Sequence, residues 1–291
     1  MTDTVLMSEC RPSWFAGFWR WFRSDLRGAL SLSFLLALIV VSILGPWISP
    51  YAPTLQNLDA ALSPMTSQHW LGADDLGRDT LSRLIYGGMA SLYASFLAVA
   101  IAVAIGVPVG VLAGYLGGWV DEAISRVVDS FLSFPAIVLA IAVTGALGIG
   151  LTNGMIAVGI VFAPQLARLA RARALVVRNE LYVDSARCFG ASTGYILWRH
   201  VLPNTVQPVI VQVTLLLAAA LLAEASLSFL GLGTQPPDAS WGAMLARAYQ
   251  NMEIAPALMY PPGIAILVTA LAFNILGESM REALDPTFKR S

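Results

Sequence analysis

The chain has few charged side chains for its length. Of its 291 residues, 12% are Asp, Glu, Lys or Arg, whereas an average soluble domain carries about 25%. Hydrophobic residues make up 57% of the chain, and its uncharged runs are long enough to cross a bilayer. This composition excludes a water-soluble globular domain and indicates an integral membrane protein. The formal net charge of −1 excludes a whole-chain basic field that would hold nucleic acid.

Lysine, cysteine and histidine are scarce, and each scarcity excludes a kind of site. A phosphate-binding P-loop needs GxxxxGK[ST], but the single lysine, Lys289, is not followed by Ser or Thr. If ATP drives this protein, a partner must therefore bind the ATP and its Mg²⁺, and we expect no cofactor in this chain. The chain has two cysteines and two histidines, which are Cys10, Cys188, His69 and His200. They form no CxxC pair and lie far apart in the sequence, so we predict no metal site.

Charge-free runs predict six membrane-spanning helices. The first run, 29–49, gives about 30 Å of helix, which matches the hydrocarbon core. The charge-free run 130–167 would be about 57 Å long as one helix, so the chain must turn back near the glycines of 148–154. The predicted spans are 29–49, 91–118, 127–147, 155–175, 206–230 and 256–277.

The distribution of basic residues predicts the orientation. With the N-terminus inside, 14 of the 17 Lys and Arg residues face the cytoplasm, and only Arg78, Arg83 and Arg247 fall outside. Because short cytoplasmic loops collect basic residues, we expect both termini to be cytoplasmic.

This topology divides the chain into two parts. Residues 1–28 interleave Trp and Phe with Arg, a pattern typical of a segment that lies along the membrane surface. Residues 29–291 form the six-helix domain, with an external loop at about 50–88 and a cytoplasmic loop at about 176–204.

Four glycines recur every fourth residue in the second span, at positions 106, 110, 114 and 118. This spacing places them on one helix face, where a neighbouring helix can approach closely. Packing within the subunit is the simpler interpretation, and a seam between subunits is the alternative.

The cytoplasmic loop 176–204 predicts two short helices around Gly190. Gly190 permits a positive φ, and Pro203 is suited to the first turn of the next helix. The small residues beside them, Ser185, Ala186, Ala191 and Ser192, leave a low surface that a groove on another protein can hold. We therefore expect a compact projection that transmits rigid-body motion into spans four and five.

At these residues the chain resembles the permease subunits of ATP-binding-cassette (ABC) importers. Their coupling motif is EAAxxxG followed, after nine residues, by IxLP. Asp184 and Ser185 depart from Glu and Ala, and His200 stands at the Ile position. The resemblance assigns coupling to the ATPase to Asp184, Ser185, Ala186, Gly190, Ala191, Leu202 and Pro203. We call residues 176–204 the coupling loop.

Three further stretches resemble the second permease of the peptide and nickel importers. They are HWLGADDLGRD at 69–79, LSFLGLGTQPPDASWG at 227–242 and LDP at 284–286. Together with the coupling loop, they extend the resemblance over nearly the whole chain.

The resemblance implies an all-α integral membrane protein with the six-helix type I ABC importer permease fold, located in the bacterial inner membrane. It implies a non-catalytic subunit that works with a second permease, two ATPase subunits or domains and an external substrate-binding protein. ATP binding on the partners would drive alternating access through the coupling loop. Peptides are the expected substrate, with nickel or another small solute as the alternative.

Two further groups of polar residues stand out. Glu224 lies within the fifth apolar run, where an ionisable group marks either a translocation pathway or a structural hydrogen bond. An external cluster near His69, formed by Asp74, Asp75, Arg78 and Asp79, predicts either docking of the binding protein or an internally paired loop.

Two other classes of protein share single features with this sequence. An ion-coupled secondary transporter usually has charged residues at mid-membrane and repeated halves, whereas here only Glu224 is a clear candidate. Residues 190–194 match the GxSxG pattern of hydrolases, but the predicted helices on both sides do not supply the strand that this motif requires.

Overall fold

The computed structural model describes residues 25–284, and this part of the chain is helical, with one isolated β-bridge between Ala73 and Asp79. The predicted surface segment 1–28 therefore lies almost entirely outside the described residues, as do Asp285 and Pro286 of the last motif. The helices are α1 (Leu26–Ile43), α2 (Gly45–Ile48), α3 (Thr80–Leu116), α4 (Gly118–Leu132), α5 (Ala136–Leu147), α6 (Leu151–Arg178), α7 (Leu181–Cys188), α8 (Thr193–Phe229), α9 (Trp241–Gln250) and α10 (Tyr260–Leu284). Short 3₁₀ turns lie at Leu58–Ala60 and Pro256–Met259.

Five of the described helices are long and apolar enough to cross a membrane: α1, α3, α6, α8 and α10. They confirm five of the six predicted spans. The helix ends define two ends of the bundle. The loop end carries residues 49–79, 148–150 and 230–259, and the coupling end carries the α3–α4 turn and the coupling loop.

The third span was predicted wrongly as one helix. The helices α4 and α5 are bent by 94° at a break after Leu132, and only together do they reach the length and hydropathy of a sixth span. Pro135 explains the break, because its ring disfavours helical geometry at Phe134 and its nitrogen donates no hydrogen bond. The helix α4 buries none of its residues and is fastened to α6 by the ion pairs Asp121–Arg171 and Asp129–Arg168.

The centre of the bundle is the parallel pair α3 and α6, and the glycine face explains its close packing. A Cβ atom built on Gly106, Gly110 or Gly114 would lie within 3.0 Å of a carbonyl oxygen of α6. Packing within the subunit is therefore the correct interpretation for these three residues. Gly118 does not belong to the face, because it begins α4 with a φ of +57° and has open space around it.

Several helices begin earlier than predicted. The helix α3 starts at Thr80, eleven residues before position 91, because the Asp79 carboxylate accepts the backbone N–H of Ser82 and caps the helix. The helix α1 starts at Leu26, where Asp25 accepts the N–H groups of Arg27 and Gly28. Asp25 also accepts the hydroxyl of Ser279, which ties α1 to α10 and lowers the pKa of Asp25.

Candidate functional site

The coupling loop is fixed to the bundle by three apolar side chains. Val183 of α7 and Ile196 and Val201 of α8 are buried and belong to the main hydrophobic core. Burying a side chain of this size contributes about 1.5–3 kcal/mol each. The short helix α7 is therefore held against the bundle, and a force applied to it reaches the spanning helices.

Gly190 makes the turn between α7 and α8, as predicted. Its φ is +79°, and its N–H donates to the carbonyl of Arg187 at 2.9 Å. The N–H of Ala191 donates to the carbonyl of Ala186 at 3.0 Å. These two bonds form a Schellman motif, which closes the C-terminus of α7 and aims the chain back toward the membrane.

The helix α8 corrects the prediction for Pro203. The helix does not begin there but runs continuously from Thr193 to Phe229, through a π-helical turn at Leu197–Val201. Leu202, the first residue after that turn, is half-buried, and Pro203, the second, is exposed. The part of the coupling loop that follows Gly190 is thus the first part of the spanning helix α8. A movement of this part therefore moves α8.

Aromatic contacts join α7 to the first turns of α8, and α7 to the end of α3. His200 lies 5.7 Å from the ring centre of Tyr182 and 5.8 Å from that of Tyr195. The Arg187 guanidinium lies 5.3 Å from the ring centre of Tyr115, at the end of α3. The interaction with Tyr115 raises the pKa of Arg187.

The outer surface of the coupling loop combines small residues with exposed apolar ones. Asp184, Ser185 and Gly190 are exposed, whereas Ala186 and Ala191 are half-buried. Phe189 is 91% exposed, Leu181 82% and Trp198 76%. These three residues were not predicted from the sequence, although two aromatic residues in a polar loop, Phe189 and Trp198, are a signal of such a surface. Large apolar side chains this exposed are typical of a surface that another protein covers.

All four predicted residues of the external cluster are paired within the chain. We call this group, Asp74, Asp75, Arg78 and Asp79, the loop-end cluster. Arg78 is buried and lies 2.6 Å from Asp74 and 3.5 Å from Asp75. Asp79 is buried between His69, at 2.9 Å, and Ser82. Arg78 and Asp79 therefore hold the loop together and present no surface to a binding protein. Asp74 and Asp75 keep partial exposure.

Arg83 is a central residue that the sequence analysis did not assign. It is buried at the start of α3, where it donates to the carbonyl oxygens of Pro53, Pro237 and Asp238 and lies 3.4 Å from Asp74. It connects the loop that follows α2 to the loop that precedes α9. A charged residue near the end of an apolar run was the available signal.

Glu224 lies in an enclosure of hydroxyl groups inside the subunit. It is 1% exposed and accepts hydrogen bonds from Ser228 and Ser240 at 2.8 Å and from Ser91 at 3.3 Å. Ser91 in turn accepts the N–H of Trp241, the first residue of α9. Of the two interpretations left open, this geometry favours the structural hydrogen bond, and the pathway role stays a prediction.

A cavity of about 690 Å³ opens at the loop end of the bundle. Tyr86, Met89, Ala90 and Tyr93 line it from one face of α3, opposite the first turn of α6. The loop 234–239, which Arg83 holds in place, closes another side.

This architecture is the type I ABC importer permease fold. The structure is similar to the MetNI methionine ABC transporter in its inward-facing conformation, with a TM-score of 0.58 at 20% identity, over 70% of this chain and 96% of that chain. A second crystal form of the same transporter gives the same TM-score at 21% identity, over 70% of this chain and 97% of that one. At this identity the likeness shows the fold alone.

Residues 106–290 match the family described as the binding-protein-dependent transport system inner membrane component. Residues 13–64 match the N-terminal transmembrane domain of oligopeptide transport permease C. The chain belongs to this family of ABC importer permeases, within the oligopeptide and dipeptide group. The resemblance inferred from the sequence is confirmed.

Close relatives cover almost the full length of the chain. The glutathione transport system permease protein GsiD of Shigella flexneri serotype 5b is 46% identical over 286 residues, which is 98% of this chain and 94% of the relative. The protein of the same name in Salmonella typhimurium gives the same values. The chain is accordingly a non-catalytic, multi-pass subunit of the inner membrane, and importers of this family add a second permease, ATPases and a periplasmic binding protein.

Proposed function

We propose that the chain is the permease subunit of an importer for short peptides, including glutathione-like peptides. The observation that carries this proposal is the 46% identity, over 98% of the chain, to a permease named for glutathione transport. Glutathione is itself a tripeptide, and the N-terminal match is to an oligopeptide permease domain. The names of the relative and of the matched family thus both refer to peptide substrates.

The coupling loop is the proposed contact for the ATPase. In this proposal, two ATPase subunits bind ATP and Mg²⁺, and their closure moves α7 through Asp184, Ser185, Ala186, Gly190 and Ala191. The buried anchors of α7 and the continuity of α8 through Leu202 and Pro203 support a rigid transmission into the bundle. The coupling end then faces the cytoplasm, with both termini, and the loop end faces the binding protein.

The substrate class is tested with the assembled importer. We expect loaded binding protein to stimulate ATPase activity of the reconstituted complex when the added solute is glutathione or a dipeptide, and not when it is Ni²⁺. Stimulation by Ni²⁺ alone would replace the peptide proposal with the nickel alternative.

A second experiment separates the importer from the secondary transporter. The purified chain alone, in liposomes with an ion gradient, is expected to move no peptide. Uptake driven by that gradient without an ATPase would contradict the proposal.

A further inference from the structure

The cavity at the loop end carries charge of one sign. Among the residues that line it, Asp238 is the only charged one, and the remaining polar groups are neutral hydroxyls and amides. Asp238 is exposed, and no cation of the described residues forms an ion pair with its carboxylate. The cavity therefore offers a free negative charge to whatever enters it.

Arg83 fixes the backbone of the loop that carries Asp238. Arg83 donates to the backbone carbonyls of Pro237 and Asp238, at 3.4 and 3.3 Å, and to that of Pro53, at 2.9 Å, on the neighbouring loop. The positive charge of Arg83 is itself met by Asp74, at 3.4 Å. Arg83 thus orders the backbone of two loops that line the cavity while the Asp238 carboxylate stays free of an ion pair.

Two tyrosines of the lining complement that carboxylate. Tyr86 and Tyr93 lie seven residues apart, two turns on the same face of α3, and Tyr93 is 48% exposed. The face of an aromatic ring attracts cations, and an ammonium group is a strong hydrogen-bond donor to a carboxylate. A peptide at neutral pH carries such a group at its amino terminus.

We propose that this cavity receives a peptide through its ammonium group and that Asp238 binds that group. The proposal rests on the proposed function and on the predicted orientation, in which the loop end meets the peptide released by the binding protein. It makes Asp238 a specificity-determining residue, which favours peptides with a free amino terminus over those whose terminus is blocked.

The test compares two peptides in the reconstituted complex of this chain with its companion permease, ATPases and binding protein. One peptide has a free amino terminus and the other is its N-acetylated form. Both are chosen so that the isolated binding protein holds them with equal affinity, as checked by calorimetry. Asp238→Asn is expected to slow transport of the free peptide about tenfold and to leave the acetylated peptide within about twofold of wild type.

The matched control is Glu253→Gln, which neutralises an exposed carboxylate at the same end but outside the cavity lining. This variant is expected to transport both peptides as the wild type does. Wild-type transport of the free peptide by Asp238→Asn would overturn the proposal. An equal slowing of both peptides would also overturn it, and would point instead to an ammonium group of the docked binding protein. If the wild-type complex moves neither peptide, the proposed function itself fails.

Discussion

At the residue scale, Glu224 joins three elements through a single carboxylate. Its partners lie on α3 (Ser91), on α8 itself (Ser228) and at the start of α9 (Ser240). The Ser240 hydroxyl also accepts the N–H of Ala243 and so caps α9. Buried hydroxyls need hydrogen-bond partners, so removing the carboxylate affects all three elements at once.

Glu224→Ala is predicted to destabilise the subunit by about 1–3 kcal/mol, because it leaves buried hydroxyl groups without their acceptor. Glu224→Gln keeps one acceptor oxygen and is expected to lose less. The measurement is thermal unfolding of the detergent-solubilised complex, followed by the fluorescence of its tryptophans, of which Trp241 is buried beside this enclosure.

The control for this prediction is Ser226→Ala, two residues away on α8. Its side chain is half-buried, and its hydroxyl donates to the carbonyl of Leu222 in its own helix, at 2.8 Å. The control is expected to unfold as the wild type does. A Glu224→Ala variant that unfolds at the wild-type temperature would show that the enclosure contributes nothing to stability.

The sequence could mark Glu224 as unusual but could not name its partners. A carboxylate in an apolar run signals a special environment, yet Ser91 is 133 residues away and Ser240 lies beyond a loop. The same limit applies to the loop-end cluster, where alternating charges predicted a polar site. Only the fold shows that Arg78 and Asp79 are turned inward.

At the scale of elements, the close packing of α3 against α6 depends on the glycines of α3, which have no side chain. Gly110→Val is predicted to destabilise the bundle by about 1–3 kcal/mol, because its side chain would overlap the backbone of Ala167. Thermal unfolding and the yield of membrane-inserted protein measure this effect. Gly145→Val in α5 is the matched control, since a Cβ there meets no atom within 4 Å. Equal losses in both variants would refute close packing as the cause.

The turn of the coupling loop depends on a backbone conformation instead. Gly190→Val is predicted to reduce co-purification of the ATPase and to lower transport severalfold, because a β-branched residue is strained at a φ of +79°. Gly194→Val carries the same change at a glycine that has open space and an ordinary φ. Insertion of both variants is expected to match wild type. Intact coupling in Gly190→Val would argue against the turn as a transmission element.

The sequence predicted most elements because their signals are local. Apolar runs placed five spans, and the glycine spacing indicated the face that α3 buries. The third span failed because residues 127–147 were predicted as one helix although Pro135 lies inside this range. The prediction that a helix begins at Pro203 was wrong for the opposite reason. A proline shortly after a π-helical turn is tolerated, and here it does not interrupt α8.

At the scale of the whole molecule, the two ends of the bundle have different chemistry. The coupling end presents exposed Phe189, Leu181 and Trp198 around small residues, a surface suited to a protein partner. The loop end presents a cavity with a single free carboxylate. The helices α3, α6 and α8 run between the two ends, so a movement at one end is carried to the other by packed helices rather than by a flexible chain.

The central claim is that the coupling loop faces the cytoplasm and is covered by an ATPase. Cys188 is a free, exposed cysteine at the end of α7 and tests this claim directly when Cys10 is replaced by Ser. A membrane-impermeant maleimide is predicted to label Cys188 in inside-out vesicles and not in right-side-out vesicles, and added ATPase subunits are predicted to block that labelling. Labelling from the outside, or labelling that bound ATPase leaves unchanged, would contradict the account.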